Sequence, residues 1–419
     1  MSNSRIIVVI NLEENVIIKN IDHFGRGISK CYNKTVFVEN ALPNEEVKIN
    51  ITNNKKNYFE ANVCEYIKTS KERIKPVCPY FEICGGCNIM HMNYQNQLSF
   101  KENKVIEVMN KFANIEKDKI KPIVKTTELY YRNKITLQVS KKIGLYKKAS
   151  YEIVNIDKCY ICNSNINKII DKLNTMNLEN INQIVIRSSI KTNEIMVTFC
   201  IYNKINEEYL VSSLKDIVTS IVKRYKSEEK VLYGKSYINE KVDNYSFMIS
   251  SNSFFQVNTL GMEKLYSLVK DYLKPNKNMN VLDLYCGTGT IGIYISNYVD
   301  NVYGVEINKS AIKDAKINAD INEINNIRFV CSDAKDVIKN YKDIDAVIVD
   351  PPRMGLSKEV VNDLIKLNAS KIVYVSCDVA TLARDINILK DYYDLCEITP
   401  VDMFPNTYHV ECVCVLKLK

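Results

Sequence analysis

Cys377 stands inside KIVYVSCDVATLARD, where an apolar strand gives way to a polar loop. A thiol held there is placed as a nucleophile, because the strand fixes its aim and the loop leaves it reachable. Four other stretches carry residues that can do chemistry. VLDLYCGTGTIG sets Gly287, Gly289 and Gly292 in GxGxxG spacing directly after a strand, where glycine lets the backbone turn tightly and approach a ligand. The next strand ends in Glu306, 19 residues past Gly287, where an acid can accept hydrogen bonds from two ribose hydroxyls. VDPPR closes a further strand with Asp350, and CPYFEICGGC spaces Cys78, Cys84 and Cys87 by five and then two residues.

Elements must hold these residues, and the chain divides into three regions. Residues 1–66 alternate short β-rich runs (RIIVVI, NVIIKN, TVFVEN, EVKINI) with turn signals such as FGRG and ALPNEE, the pattern of a small barrel. Residues 67–245 mix helix and strand: QLSFKENKVIEVMNKF has helical periodicity, and YYRNKITLQVS alternates as a strand. Residues 246–419 alternate apolar strands with helical stretches such as KSAIKDAKINADIN, which predicts a parallel sheet covered on both faces. The expected fold class is therefore α/β and multidomain: an OB-like barrel, a central α+β domain and a Rossmann-like domain. In such sheets ligands bind beyond the carboxyl ends of the strands.

Composition narrows the class. With 46% hydrophobic and 25% charged residues among 419, the chain is neither disordered nor fibrous. MSNSRIIVVINLEENVIIKN lacks the apolar core and cleavage site of a signal peptide, and no apolar run reaches a membrane span, so a cytoplasmic protein with no membrane partner is expected. In that compartment fourteen cysteines predict few disulfides. Cys200, Cys331, Cys412 and Cys414 sit in apolar runs and are expected in the core. The net charge of +8 is uneven: residues 1–160 carry 26 Lys/Arg against 17 Asp/Glu, whereas the rest is close to neutral. A basic front half suggests that it grips a polyanion.

The glycine loop alone would also suit a dehydrogenase. Its context favours S-adenosylmethionine: Asp283 lies inside the strand before the loop, as in methyltransferases of this fold. Asp333 of CSDA stands where an adenine amino group would lie, and Asp350 near the methyl donor. YHVECVCVLKLK reads as the antiparallel hairpin closing such a sheet. Cys377 then falls on the same edge as Asp350. Carbon 5 of uracil is a poor nucleophile, but thiolate addition at carbon 6 turns the ring into an enolate that can take a methyl group. A thiol of ordinary pKa, about 8.5, is roughly 3% ionised at neutral pH, so full ionisation gains at most about 30-fold. Orientation contributes more. Many RNA 5-methylcytidine enzymes carry a second cysteine just after the proline of the fourth-strand motif; here DPPR has none, which favours uridine.

DLYCGTGT, VDPPRMGL, VSCD and DMFPNTYHVE together resemble the RNA 5-methyluridine methyltransferase family, over essentially the whole chain. The resemblance implies Cys377 as nucleophile and Glu411 as the base that takes the carbon 5 proton. It implies Gln256 of FFQVN, Tyr285, Glu306, Asp350 and also Asp333 as S-adenosylmethionine ligands, with Asp350 orienting the uracil as well. Three cysteines need a fourth, and IDKCYIC offers Cys159 or Cys162; four thiolates suit zinc or an iron–sulfur cluster. The family's [4Fe–4S] site matches Cys78, Cys84, Cys87 and Cys159. FGRGISK, VFVENALPNEEV and SKERIKP resemble the TRAM domain, an RNA-binding barrel, and Arg132 of YRNK resembles a family residue that reaches RNA. The expectation is a monomer that methylates ribosomal RNA, with transfer RNA as the alternative substrate. An amino-group methyltransferase and a non-catalytic RNA-binding protein are the rival readings.

Overall fold

The structure, a computed structural model, describes residues 12–419, so RIIVVI lies outside the described residues. The chain packs as two compact units, the first holding residues up to 100 with 147–149 and 406–408, the second holding the remainder.

In the first unit, strands β1 (Glu13–Ile17), β2 (Asn20–Ile21), β3 (Gly27–Cys31), β4 (Lys34–Glu39), β5 (Glu46–Asn54) and β6 (Tyr58–Lys68) form one sheet in the order β1-β5-β6-β4-β3-β2. Alternation buries Val36, Val38, Val47, Ile49 and Ile51 on one face, as period-2 patterning requires. The sheet curls on itself: the Lys19 amide donates to Ile28 and the Ser29 hydroxyl to Ile17 O. Gly27 sits where the walls meet, for a Cβ there would stand 2.8 Å from Ile18. The fully buried Glu45 accepts from Arg73, whose guanidinium also covers the Tyr66 ring and so fastens the segment after the sheet.

The second unit begins within helix α1 (Tyr94–Ala113), whose Val105, Val108 and Met109 join a large core. Strands β7 (Lys134–Val139), β8 (Ile143–Tyr146), β9 (Ile153–Asn155), β10 (Ile181–Ser188), β11 (Ile195–Ile201), β12 (Ser220–Tyr225) and β13 (Glu228–Gly234) form a mixed sheet, with helices α2 (Ser164–Leu173) and α3 (Glu207–Leu214) in its connections. A hairpin of β14 (Tyr237–Val242) and β15 (Tyr245–Ser250) precedes helix α4 (Thr259–Leu273).

Strand and helix then alternate: β16 (Asn280–Leu284), α5 (Thr290–Ser296), β17 (Asn301–Glu306), α6 (Lys309–Ile321), β18 (Ile327–Cys331), α7 (Ala334–Val337), β19 (Ala346–Val349), α8 (Lys358–Leu367), β20 (Lys371–Ser376) and α9 (Val379–Leu389). Two long strands, β21 (Tyr393–Val401) and β22 (Glu411–Leu418), complete the sheet in the order β18-β17-β16-β19-β20-β22-β21. The first five strands are parallel, and β22 inserts antiparallel beside β20. Cores on both faces of this sheet make its inner strands mainly apolar, with the buried Asp283 of β16 an exception. Cys412 and Cys414 are buried as expected, but Cys331 is exposed and Cys200 half-buried. Cys331 ends β18, the edge strand, where one flank faces solvent. Among the described residues no helix is long and apolar enough to cross a membrane.

Candidate active site

The parallel strands end along one edge, and the expected residues stand there in sequence. β16 is followed by Tyr285 in the left-handed region, φ 63°, then by Gly287 and Gly289, also with positive φ. The Gly289 amide returns to Cys286 O at 2.8 Å, and Gly289 caps α5. A Cβ at Gly289 would collide with Phe329 at 2.7 Å, whereas one at Gly287 would meet nothing within 4 Å. The loop is thus packed behind and open in front. Glu306 closes β17 and turns back to that loop, its Oε2 accepting from Gly287 N at 3.3 Å and its Oε1 from Asn308 N at 2.8 Å.

Asp350 directly follows β19, its amide reaching Leu284 O at 3.4 Å, and Cys377 directly follows β20. The β20–β22 register pairs Ser376 with Cys412. One step further, that register sets Cys377 opposite Glu411. Asp378 secures the turn by capping α9 through the Thr381 amide. Tyr285, Glu306, Asp350, Cys377 and Glu411 therefore share one edge.

Asp333 also follows the carboxyl end of its strand, and its charge reaches Tyr285, whereas Gln256 and Arg132 come from segments outside this sheet. Asp333 lies beyond the edge strand, where it caps α7 through Lys335 N and pairs with the Lys335 ammonium at 3.3 Å. Gln256 is half-buried between β15 and α4, and Arg132 precedes β7 with its Nε donating to Lys134 O at 2.8 Å. These two segments are joined, since Asn133 Nδ2 donates to Gln256 O and Asn133 N to Val257 O.

The electrostatics are unusual for so many acids. Burial pushes Asp283 up to about 8, with Asp350 adding to the effect, and neither of its carboxylate oxygens has a hydrogen-bond partner of good geometry. The Gly292 amide approaches it and lowers its pKa slightly without making such a bond. Burial likewise lifts Asp350 to about 7, and lifts Glu411 to about 8 with help from Asp350. Cys377 is pushed up to about 11, first by burial and then by Glu411 and Asp350. Arg353 pulls both Cys377 and Glu411 down. Sequence reasoning had not singled out Arg353; its place directly after the Pro-Pro pair of the Asp350 loop was the available signal. The glycine loop open at Gly287 and the Glu306 carboxylate turned back to it form a polar cradle suited to a nucleoside. A carboxyl near neutrality beside a cysteine can take a proton at physiological pH.

Two of the other cysteines, Cys84 and Cys159, have thiolate-supporting contacts. The Gly86 amide donates to Cys84 Sγ at 3.4 Å, and a hydrogen bond from Cys162 is the main cause of lowering Cys159 to about 7. Among the described residues, no three His, Cys, Asp or Glu side chains are gathered as a metal-binding group.

Known proteins identify the class. A family profile described as tRNA (Uracil-5-)-methyltransferase matches residues 93–419, and a TRAM domain profile matches residues 11–64. An uncharacterized RNA methyltransferase of Oceanobacillus iheyensis is 34% identical, the match covering 96% of this chain and 95% of the relative. One of Clostridium acetobutylicum is 35% identical over 97% of each. The crystal structure of Pyrococcus abyssi tRNA (uracil-54, C5)-methyltransferase in complex with S-adenosyl-L-homocysteine superposes with a TM-score of 0.79 at 28% identity, covering 96% of this chain and 100% of that one. The chain belongs to the RNA (uracil-5-)-methyltransferase family. It is an S-adenosylmethionine-dependent RNA uracil-C5 methyltransferase with an N-terminal TRAM domain.

Proposed function

We propose that this protein methylates carbon 5 of a uridine in ribosomal RNA through a covalent bond between Cys377 and the base. The observation that carries the reading is the β20–β22 register, which sets Cys377 opposite Glu411 and near Asp350. S-adenosylmethionine, when bound, supplies an electrophilic methyl group; Tyr285, Glu306, Asp350, Gln256 and Asp333 are our candidates to hold it. Cys377, its thiol proton lost, adds through Sγ to carbon 6, and the electron pair moves to carbon 5, which takes the methyl as the donor's sulfur–methyl bond breaks to leave S-adenosylhomocysteine. The Glu411 carboxylate then removes the carbon 5 proton, and the pair returns to expel the thiolate. Asp350 orients the ring, and Arg132 contacts the RNA. We assign residues 1–66 to RNA binding, 67–245 to the cysteine site and 246–419 to methyl transfer, in a monomer working in the cytoplasm.

The two chemical roles fail at different steps. Cys377→Ala should form no adduct with RNA, because addition precedes methyl transfer. Glu411→Gln should add and methylate, then stall, leaving methylated RNA joined to protein on a denaturing gel. Turnover by Glu411→Gln without accumulated adduct would assign the proton to another group. Retained methylation by Cys377→Ala would remove the covalent mechanism and return the amino-group reading.

Transfer RNA is the second reading for the substrate, favoured by the family description and by the name of the Pyrococcus abyssi enzyme. Mapping 5-methyluridine in total RNA from a deletion strain separates the two. We further propose that Cys78, Cys84, Cys87 and Cys159 hold a [4Fe–4S] cluster, supported by the thiolate-stabilising contacts at Cys84 and Cys159. The methyl transfer is redox-silent, so the cluster is structural. Anaerobically purified protein should be brown, absorbing broadly near roughly 400 nm. Colourless protein with stoichiometric zinc would overturn this.

A further inference from the structure

A second cationic site lies away from the strand-end acids. The β7–β10 register sets Arg187 directly opposite Lys134, so both side chains leave the same face of the central sheet. Arg187 is only 3% exposed; its Nη2 donates to Ser253 O at 2.7 Å, and its Nη1 has no partner. Burial, then Arg187, Arg132 and Arg224, pull the Lys134 ammonium down to about 8, and no acid acts in the opposite direction. Of these neighbours Arg224 is already satisfied, paired with Glu229 at 2.7 Å and donating to Asn252 Oδ1 at 2.6 Å.

A buried guanidinium without an ion-pair partner beside a half-buried ammonium is costly, and cations so placed are normally neutralised by an anion. Among the described residues no acid acts on either cation, so the anion is to be sought outside. The charge pattern names its class. Residues 1–66 carry eight Lys/Arg and eight Asp/Glu, whereas residues 67–160 carry 18 against nine. The basic surplus of the front half is therefore not on the barrel; it lies in the stretch that contains Arg132 and Lys134. Ser253, which Arg187 holds, begins the segment that presents the 70%-exposed Phe254 and then Gln256.

We infer that Lys134, backed by Arg187, is a phosphate seat for the backbone of the substrate RNA. The inference rests on the reading of the protein as an RNA methyltransferase. Lysine binds phosphate as a point charge, and Arg187 on the neighbouring strand adds a fixed positive field beside it. Each phosphate so held releases counterions, which makes the contact visible in salt dependence.

The test uses the full-length protein and a single-stranded uridine 20-mer as probe. Lys134→Gln should lower the slope of log affinity against log salt by about 0.7 and weaken binding about tenfold at low salt. Lys134→Arg should keep the parental slope, because it keeps the charge. Lys134→Met, which retains the apolar stem, gives the same reading should the glutamine variant fold poorly. S-adenosylmethionine affinity, measured separately, should stay within about twofold of the parent's, since the seat is for phosphate. An unchanged slope in a folded Lys134→Gln overturns the seat. So does a fall in S-adenosylmethionine affinity with an unchanged slope, which would make the anion the carboxylate of that ligand. If the parent forms its covalent adduct with 5-fluorouridine RNA while the slope is unmoved, the seat alone is wrong and the methyltransferase reading stands.

Discussion

Cys377 is a harder thiol to ionise than its sequence context suggests. An ordinary thiol would be a few per cent thiolate at neutral pH, but burial pushes this one up to about 11, leaving on the order of one part in 10⁴. Ionisation is therefore a larger part of the barrier than an exposed cysteine would imply, and Arg353, which lowers the pKa, belongs to the nucleophile's environment. Glu411, itself lifted to about 8, raises the Cys377 thiol further wherever it is ionised, and it must be ionised when it takes the carbon 5 proton. In the ligand-free enzyme, alkylation of Cys377 by iodoacetamide should keep rising from pH 7 to 9 without levelling off, as the thiolate fraction rises. Arg353→Gln should slow it at every pH. Peptide mass spectrometry isolates Cys377 from the exposed Cys64 and Cys331; a plateau below pH 9 would contradict the raised pKa.

At the scale of elements, helix α9 does more than follow the cysteine. Its Asp385, 1% exposed, accepts from Tyr374 Oη at 2.7 Å, Leu356 N at 2.8 Å and Arg384 Nε at 2.8 Å. Arg384 in turn donates to the Met354 and Leu356 carbonyls, and Thr381 Oγ1 donates to Arg353 O. The loop carrying Asp350 and Arg353 is thus clamped to the helix that starts beside Cys377. Gly355 is required in that clamp, with φ 72° and a Cβ position 2.6 Å from Asp385 Oδ2. Asp385→Ala leaves these donors unsatisfied and should cost about 2–4 kcal/mol in denaturant unfolding. It should also slow single-turnover methylation beyond the loss of folded protein, with Asp385→Asn recovering part. Slowing that only tracks the folded fraction would leave the clamp a purely structural role.

For the whole molecule, buried acids set the response to pH. Asp283, Asp350 and Glu411 titrate near 8, 7 and 8 in the fold, against about 4 when unfolded. Acids raised in this way contribute stability that is fully present below about pH 4 and lost as pH rises through 7 to 8. The melting temperature of ligand-free protein at fixed ionic strength should therefore fall between pH 6 and 9. In Asp283→Asn that fall should be shallower, so its melting temperature gains on the parent's as pH rises. Parallel curves for variant and parent would mean that Asp283 ionises normally in the fold.

Much of the architecture was legible because its signals are local. Apolar runs ending in Gly287, Glu306, Asp350 and Cys377, separated by helical periods, mark parallel strands and their carboxyl ends within windows of about ten residues. Those strand ends define the candidate site before any strand order is known. Other features depend on pairings between distant segments. The exposure of Cys331 follows from β18 being the edge strand, and the Lys134–Arg187 juxtaposition from the register of β7 against β10. Glu411 is the clearest case. By itself it is an acid before an apolar strand, and only family resemblance singled it out. It faces Cys377 because β22 inserts antiparallel between β20 and β21 in one register. A slip of one residue would turn every buried side chain of β22 to the opposite face of the sheet, so the two packed cores, which no local stretch of sequence contains, decide which acid meets the thiol.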